Sequence, residues 1–327
     1  PSCPHPSNPI QPNPILPRRG VAACVSPAGG MRHSHTATQL EEGGFFTALA
    51  YDDTRSFCAT ATPAGELRIW QHSEGLWHSC CSWRISSTDA AVASLGVRQI
   101  VWCRAQHGLL VAVVGEDNSV SIWEDALVGA GNEAALQGRT HTTRGQSTWT
   151  NCATLMAASR TLHVCDVQFA PAELGLALAV ACGNGTIRIY QASDEVARAE
   201  QGSWQLLEQF QAIDRENMQP ADKSLSNGTN HAAPTSSCTC LQWRPAGSAA
   251  RAERQHSAVD TAFNERPTLA VGHRSGAVTV WEYRESHRQW VQLSCFSGSA
   301  AADPVEDIAW APNMGRAQEY IATAVGP

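Results

Sequence analysis

Asp166-Val-Gln-Phe169, Leu176-Ala-Leu-Ala-Val-Ala-Cys182 and Thr186-Ile-Arg-Ile-Tyr190 follow one another, with Asn184-Gly185 ahead of the last. Each run is too short for an ordinary helix, and in the third the polar and apolar side chains alternate with the period of a pleated strand. Asn-Gly suits a two-residue hairpin in which both turn positions take positive φ. A further run, Trp204 to Phe210, supplies a fourth strand.

The same order of strands recurs along the chain. First strands ending on an aromatic residue are Thr47 to Tyr51, Gln99 to Trp102, Asp166 to Phe169 and Thr239 to Trp243. Second strands of small apolar residues are Phe57 to Thr62, Leu109 to Val114, Leu176 to Cys182 and Thr268 to Gly272. Third strands, again with aromatic ends, are Glu66 to Trp70, Ser119 to Trp123, Thr186 to Tyr190 and Ala277 to Trp281. Leu76 to Arg84, Trp149 to Leu155, Trp204 to Phe210 and Trp290 to Phe296 complete the units, and Glu306 to Trp310 opens a fifth. The two aromatics are 19, 21 and 21 residues apart in the first three units and 38 in the fourth, where one polar insertion, Ala246 to Arg266, accounts for the excess. Loop insertions leave strands in register, so the period drifts while the unit persists.

Antiparallel four-stranded units repeated around an axis describe an all-β fold, the β-propeller. A β-sandwich would also explain many short strands, but not an aromatic at the same place in every group of four. The expectation is four full blades and part of a fifth in one domain, 44–327. Residues 1–43 form a Pro-rich extension that lacks the apolar core of a signal peptide and reads as disordered. Met31 is a candidate for the natural start.

Of the 327 residues, 43% are hydrophobic, enough to build a large core. The 12 cysteines are too sparse for a small disulfide framework. Cys58, Cys103, Cys165, Cys182, Cys240 and Cys295 fall in strand runs and read as small buried apolar residues, which points to a reducing cytosolic or nuclear setting. The longest apolar run, Leu174 to Cys182, is strand-sized and far from the roughly 20 residues that span a bilayer. A net charge of −7 with scattered basic residues argues against a nucleic-acid footprint.

Motifs for chemistry are weak. Gly129-Ala-Gly-Asn-Glu-Ala134 resembles a dinucleotide fingerprint but leads into no βαβ unit, so it reads as a loop. No Gly-Lys-Ser/Thr occurs. Cys80-Cys81 and Cys238-Thr-Cys240 lack the spacing of a metal site. His33, His35 and His141 lie in loops, and His163, just ahead of a strand, reads as a hydrogen-bonded blade residue. The sequons at Asn184 and Asn227 would matter only in a secreted protein. Trp77, Trp149, Trp204 and Trp290 read as blade packing, and the loops Gln211 to Ser237 and Ala246 to Arg266 as solvated. No catalytic, cofactor-binding or metal-binding residue is expected, and an enzyme is the least favoured class.

Three passages resemble the Seh-type nucleoporins, the Sec-thirteen-homologue branch of WD-repeat proteins. They are Leu67 to Trp83, Val164 to Tyr190, and Asp303-Pro-Val-Glu-Asp-Ile-Ala-Trp-Ala-Pro-Asn-Met-Gly-Arg316. The Trp-Asp pair of generic repeats is replaced by Trp70-Gln71, Trp123-Glu124, Tyr190-Gln191 and Trp281-Glu282. The resemblance implies an open six-bladed propeller completed in trans by a blade from an α-solenoid nucleoporin. It further implies the Y-complex of the nuclear pore outer ring, transport of protein and mRNA, and a second, nutrient-signalling assembly at the lysosome or vacuole. Contacts with other Y-complex subunits are implied, whereas direct nucleic-acid binding and membrane insertion are not. The family continues through the rest of the fifth blade and a sixth, so the chain reads as truncated at Pro327. Competing readings are the sister propeller of vesicle coats and a ubiquitin-ligase adaptor.

Overall fold

The protein is described by a computed structural model covering residues 45–85, 95–125, 149–155, 162–192, 203–212, 237–245, 266–297, 303–312 and 318–326. Residues 1–43, Met31, Asn227 and the Gly129 to Ala134 motif lie outside these. So do His33, His35, His141 and most of both long polar loops.

Four consecutive strands make each of four antiparallel sheets. The first holds β1 (Ala48–Tyr51), β2 (Phe57–Ala61), β3 (Glu66–Ser73) and β4 (Leu76–Arg84). The second holds β5 (Val97–Trp102), β6 (Leu110–Gly115), β7 (Val120–Asp125) and β8 (Trp149–Leu155). In the third are β9 (Val164–Phe169), β10 (Ala177–Cys182), β11 (Thr186–Ala192) and β12 (Trp204–Gln211). In the fourth are β13 (Cys238–Trp243), β14 (Thr268–His273), β15 (Ala277–Arg284) and β16 (Gln289–Ser297). A fifth sheet pairs β17 (Val305–Trp310) with β18 (Ile321–Val325). No α-helix occurs among the described residues.

The fold is a WD-repeat type of propeller, and its described sheets do not close into a ring. The first strands β1, β5, β9, β13 and β17 lie successively side by side, which puts them at the axis and the fourth strands at the rim. Four apolar clusters fill the seams between consecutive sheets, in chain order. Each of the middle strands β2, β6, β10 and β14 is buried along its whole length. Their alanines Ala59, Ala112, Ala179 and Ala270 are fully covered, because sheets packed on both faces leave room there only for small side chains. Among the described residues no such cluster joins the fifth sheet to the first.

Two bulges repeat through the blades. On the rim side the register slips at Trp70, Trp123, Tyr190 and Trp281, so that Cys80, Cys152, Leu207 and Leu293 are extra residues in the fourth strands. On the axis side Arg98, Cys165, Thr239 and Glu306 are extra in the first strands of sheets two to five. Each extra residue bends its strand and increases the local twist, which fans the blade outward from the axis. The recurring aromatic of the third strand therefore marks the rim bulge as well as a packing position.

The hairpin turns correct one expectation. Asn184 does not share the positive φ of Gly185; each hairpin between a second and a third strand has a single left-handed residue, namely Gly65, Asn118, Gly185 or Gly276. Its N–H donates to the carbonyl three residues back, of Thr62, Gly115, Cys182 or His273. This is a three-residue loop with one left-handed position, in which the Asn184 side-chain oxygen accepts from the N–H of Thr186. Strand limits also differ from the sequence reading by one to three residues, and the third strands run on past their aromatics. Cys103 sits just beyond β5, while Cys165 and Cys295 are only partly buried.

At Gly65 the turn leaves no room for a side chain. A Cβ there would run into the backbone carbonyl of Leu95, on the lead-in to the next sheet, and the Gly276 turn meets Asp303 in the same way at 2.8 Å. Gly75 has a similar φ of +79° with nothing nearby. Gly65→Ala is therefore expected to cost more than about 3 kcal/mol, and Gly75→Ala only about 1 to 2 kcal/mol of left-handed strain, in denaturant unfolding of the two variants.

Candidate functional site

Two features of the seams bear on function: a buried carboxylate at the axis and aromatic stacks near the rim. Asp166 on β9 is buried and joins three sheets. Its Oδ1 accepts from Gln99 Nε2 of the second sheet at 2.6 Å and from its own neighbour Val167 N at 2.8 Å. Its Oδ2 accepts from Leu241 N of the fourth sheet at 2.9 Å. Burial pushes its pKa up to about 6, against the pull of the three N–H donors. Asp307 holds the equivalent place on β17 and accepts from Ile308 N at 2.8 Å, but it is exposed.

Near the rim, Trp83 of β4 stacks on Trp149 of β8, with centroids 5.5 Å apart and planes 18° apart, and lies 5.2 Å from Trp123. Trp149 in turn meets Trp102 edge-on at 6.0 Å. Two sheets further on, Phe210 stacks on Trp290 at 4.9 Å and 15°, touches Trp281 at 5.2 Å, and Trp290 meets Trp243 at 6.1 Å. Trp204 packs on Phe169 of its own sheet at 6.3 Å and lies in the apolar cluster between the second and third sheets. Trp149, Trp204 and Trp290 thus serve as blade packing. Trp77 packs within its own blade, against Tyr51 at 5.6 Å and His72 at 4.9 Å.

The outward face of the first sheet is exposed at its first strand, while Cys58, Thr60 and Trp70 on the same face are buried. Leu49 is 46% exposed, whereas the residues at its register position in the other sheets, Ile100, Val167, Leu241 and Ile308, are at most 6% exposed. Tyr51 is 48% exposed where Trp102, Trp243 and Trp310 are at most 9%. Phe296, the fourth sheet's counterpart of Trp83 and Phe210, is 56% exposed beside the two-stranded fifth sheet.

The other residues weighed in the sequence stay in structural roles. The carbonyl of His163 accepts from Gly183 N, and its ring packs against Gly183. Burial holds Cys238 well above the usual thiol range and pushes Cys58 up to about 12, so neither presents a thiolate for ligation or attack. No group of three His, Cys, Asp or Glu placed to hold a metal occurs among the described residues. Asp166 was missed in the sequence. Its signal was an acid in an apolar strand, repeated in Asp307.

Comparison with known proteins adds a lineage. Nucleoporin SEH1-A of Xenopus laevis is 30% identical over 273 residues, 81% of this chain and 59% of the relative. The chain is similar to the SEH1 nucleoporins. Nucleoporin SEH1 of Homo sapiens is 29% identical over the same shares, and that of Danio rerio 28% over 283 residues, 84% of this chain and 62% of the relative. The chain thus spans about three fifths of the length of these SEH1 proteins. No protein-family model matches it. Among solved structures, Sqt1 of Saccharomyces cerevisiae aligns with TM-score 0.47 and 10% identity over 81% of this chain and 52% of Sqt1.

Asp166 gives a pH-dependent term. A carboxyl whose folded pKa lies above its unfolded value near 3.9 stabilises the fold fully below that value, and the contribution is lost as pH rises through about 6. Asp166→Ala is expected to remove this part of the pH dependence and to cost about 2 to 4 kcal/mol at pH 7 by stranding three N–H donors. Denaturant titrations of both proteins at pH 4.5 and 7, values on the order of one unit either side of about 6, measure it.

Proposed function

We propose that the chain is a structural scaffold nucleoporin of the outer-ring Y-complex at the nuclear pore. In this reading an α-solenoid nucleoporin completes the open propeller in trans with one blade, and the assembly supports nucleocytoplasmic transport of protein and mRNA. The observation that carries it is the half-exposed apolar pair Leu49 and Tyr51 on the outer face of the first sheet, in a chain whose relatives are named SEH1 nucleoporins. An open propeller leaves apolar sheet faces in water, and burying them against a partner's sheet stabilises both molecules. Scaffolding of this kind asks for surfaces rather than a nucleophile or a cofactor. A further place at the lysosome or vacuole, in a nutrient-signalling complex, belongs to the same proposal.

Affinity purification of the tagged chain from its own cells tests the assignment. Nucleoporins, including one built as an α-solenoid, are the expected companions. Recovery of vesicle-coat cage proteins without nucleoporins would transfer the chain to the sister coat family.

A further inference from the structure

We infer that Cys165 and Cys238 form a redox pair: hydrogen peroxide closes a disulfide between them and clamps the third sheet to the fourth. The pair lies in a filled seam, apart from the surfaces on which the scaffold role draws.

Cys238 opens β13 and is 2% exposed, and three other thiols, Cys165, Cys182 and Cys240, lie near enough for their charges to act on it. Packing direction separates the three. Cys182 belongs to the apolar cluster between the second and third sheets, and Cys240 to the one between the fourth and fifth. Cys165 packs against the cluster between the third and fourth sheets, the same cluster that holds Cys238. These two thiols therefore enter one seam from its opposite sides.

The strand register brings them to one level. Cys165 is the extra residue of the axis-side bulge in β9, and Cys238 opens the bulge of β13 as Val164 opens that of β9. One seam earlier the corresponding positions are Arg98 and Val164, where the Arg98 guanidinium donates to the Val164 carbonyl at 3.0 Å. The bulge residue of one blade thus reaches toward the first residue of the next blade's first strand. Cysteine is shorter than arginine, so the strands must stand close for a disulfide to span them. They do: Asp166, beside Cys165 and itself short, accepts directly from Leu241 N of β13 at 2.9 Å.

Exposure divides the work. Cys165 is only partly buried, so it is the thiol that peroxide meets. Its thiolate sulfur attacks the O–O bond; an S–O bond forms, and the hydroxide released takes up a proton and leaves as water. Cys165 is now a sulfenic acid, oxidised by the two electrons that the peroxide gained. The Cys238 sulfur then attacks the Cys165 sulfur, the S–S bond forms, the S–O bond breaks, and the departing hydroxide carries off the Cys238 proton as a second water. Burial keeps Cys238 protonated, which makes this second step the slower one. Glutathione thiolate reopens the bond by exchange, so the clamp is transient in a reducing compartment.

The test treats the native full chain with hydrogen peroxide, alkylates the remaining thiols and maps disulfides by mass spectrometry without reduction. A linkage of Cys165 to Cys238 is expected, and dithiothreitol removes it. The closed form should melt roughly 4 to 10 °C above the reduced one, because the bond closes a long loop. Cys238→Val introduces the residue found at the same register position in the second, third and fifth sheets, Val97, Val164 and Val305, and so keeps the fold. In that variant the linkage is lost and dimedone traps Cys165 as the sulfenic acid. Cys165→Ser abolishes both signals, while Cys182→Ala, where the second sheet has Gly115, leaves the linkage intact. The pair is refuted if Cys165 stays reduced, or if it is oxidised without bonding to Cys238. It is equally refuted if the linkage runs to Cys182 or Cys240, or forms only in denaturant.

Discussion

A sheet that is apolar on both faces needs a neighbour on each side. β2, β6, β10 and β14 have no solvent side at all, so every blade that carries them must be sandwiched. Pairing of strands within a blade leaves this demand unmet, because the ladder satisfies backbone groups and not side-chain faces. Consecutive blades therefore stack through four apolar clusters. The described stack begins with the first sheet and ends with the two-stranded fifth.

The requirement reaches into local geometry. Faces that approach closely call for alanine and glycine in the middle strands and at the turns that abut the next blade, as at Gly65 beside Leu95. Fanning around an axis calls for strong twist, which the paired bulges provide at the same register in blade after blade. Near the axis, where the first strands crowd, Asp166 accepts backbone and side-chain N–H groups from the sheets on either side. A single carboxylate there holds three blades, at the cost of burying its charge.

The repeat was legible because a strand's period and its aromatic end are local properties. All four second strands and all four third-strand aromatics stand where the sequence placed them, and Trp149, Trp204 and Trp290 pack blades together as their spacing implied. The Asn184-Gly185 turn was misread because Asn-Gly is compatible with more than one hairpin loop, and the extra residue between the strands, rather than the dipeptide, selects the type. Trp77 packs against Tyr51 and His72 of its own blade, as its place at the head of a fourth strand implied. Asp166 gave only the faint signal of an acid among apolar neighbours.

Periodicity and composition determined that this chain makes four-stranded antiparallel units in series, since hairpin pairing lies within a few dozen residues of each strand. The resemblance to Seh-type nucleoporins was likewise readable in three stretches of residues. Which faces meet and which aromatic arrives on which were decided by the tertiary structure. Those contacts join residues of different blades, and the same local motif is buried in one blade and exposed in another according to what stands beside it.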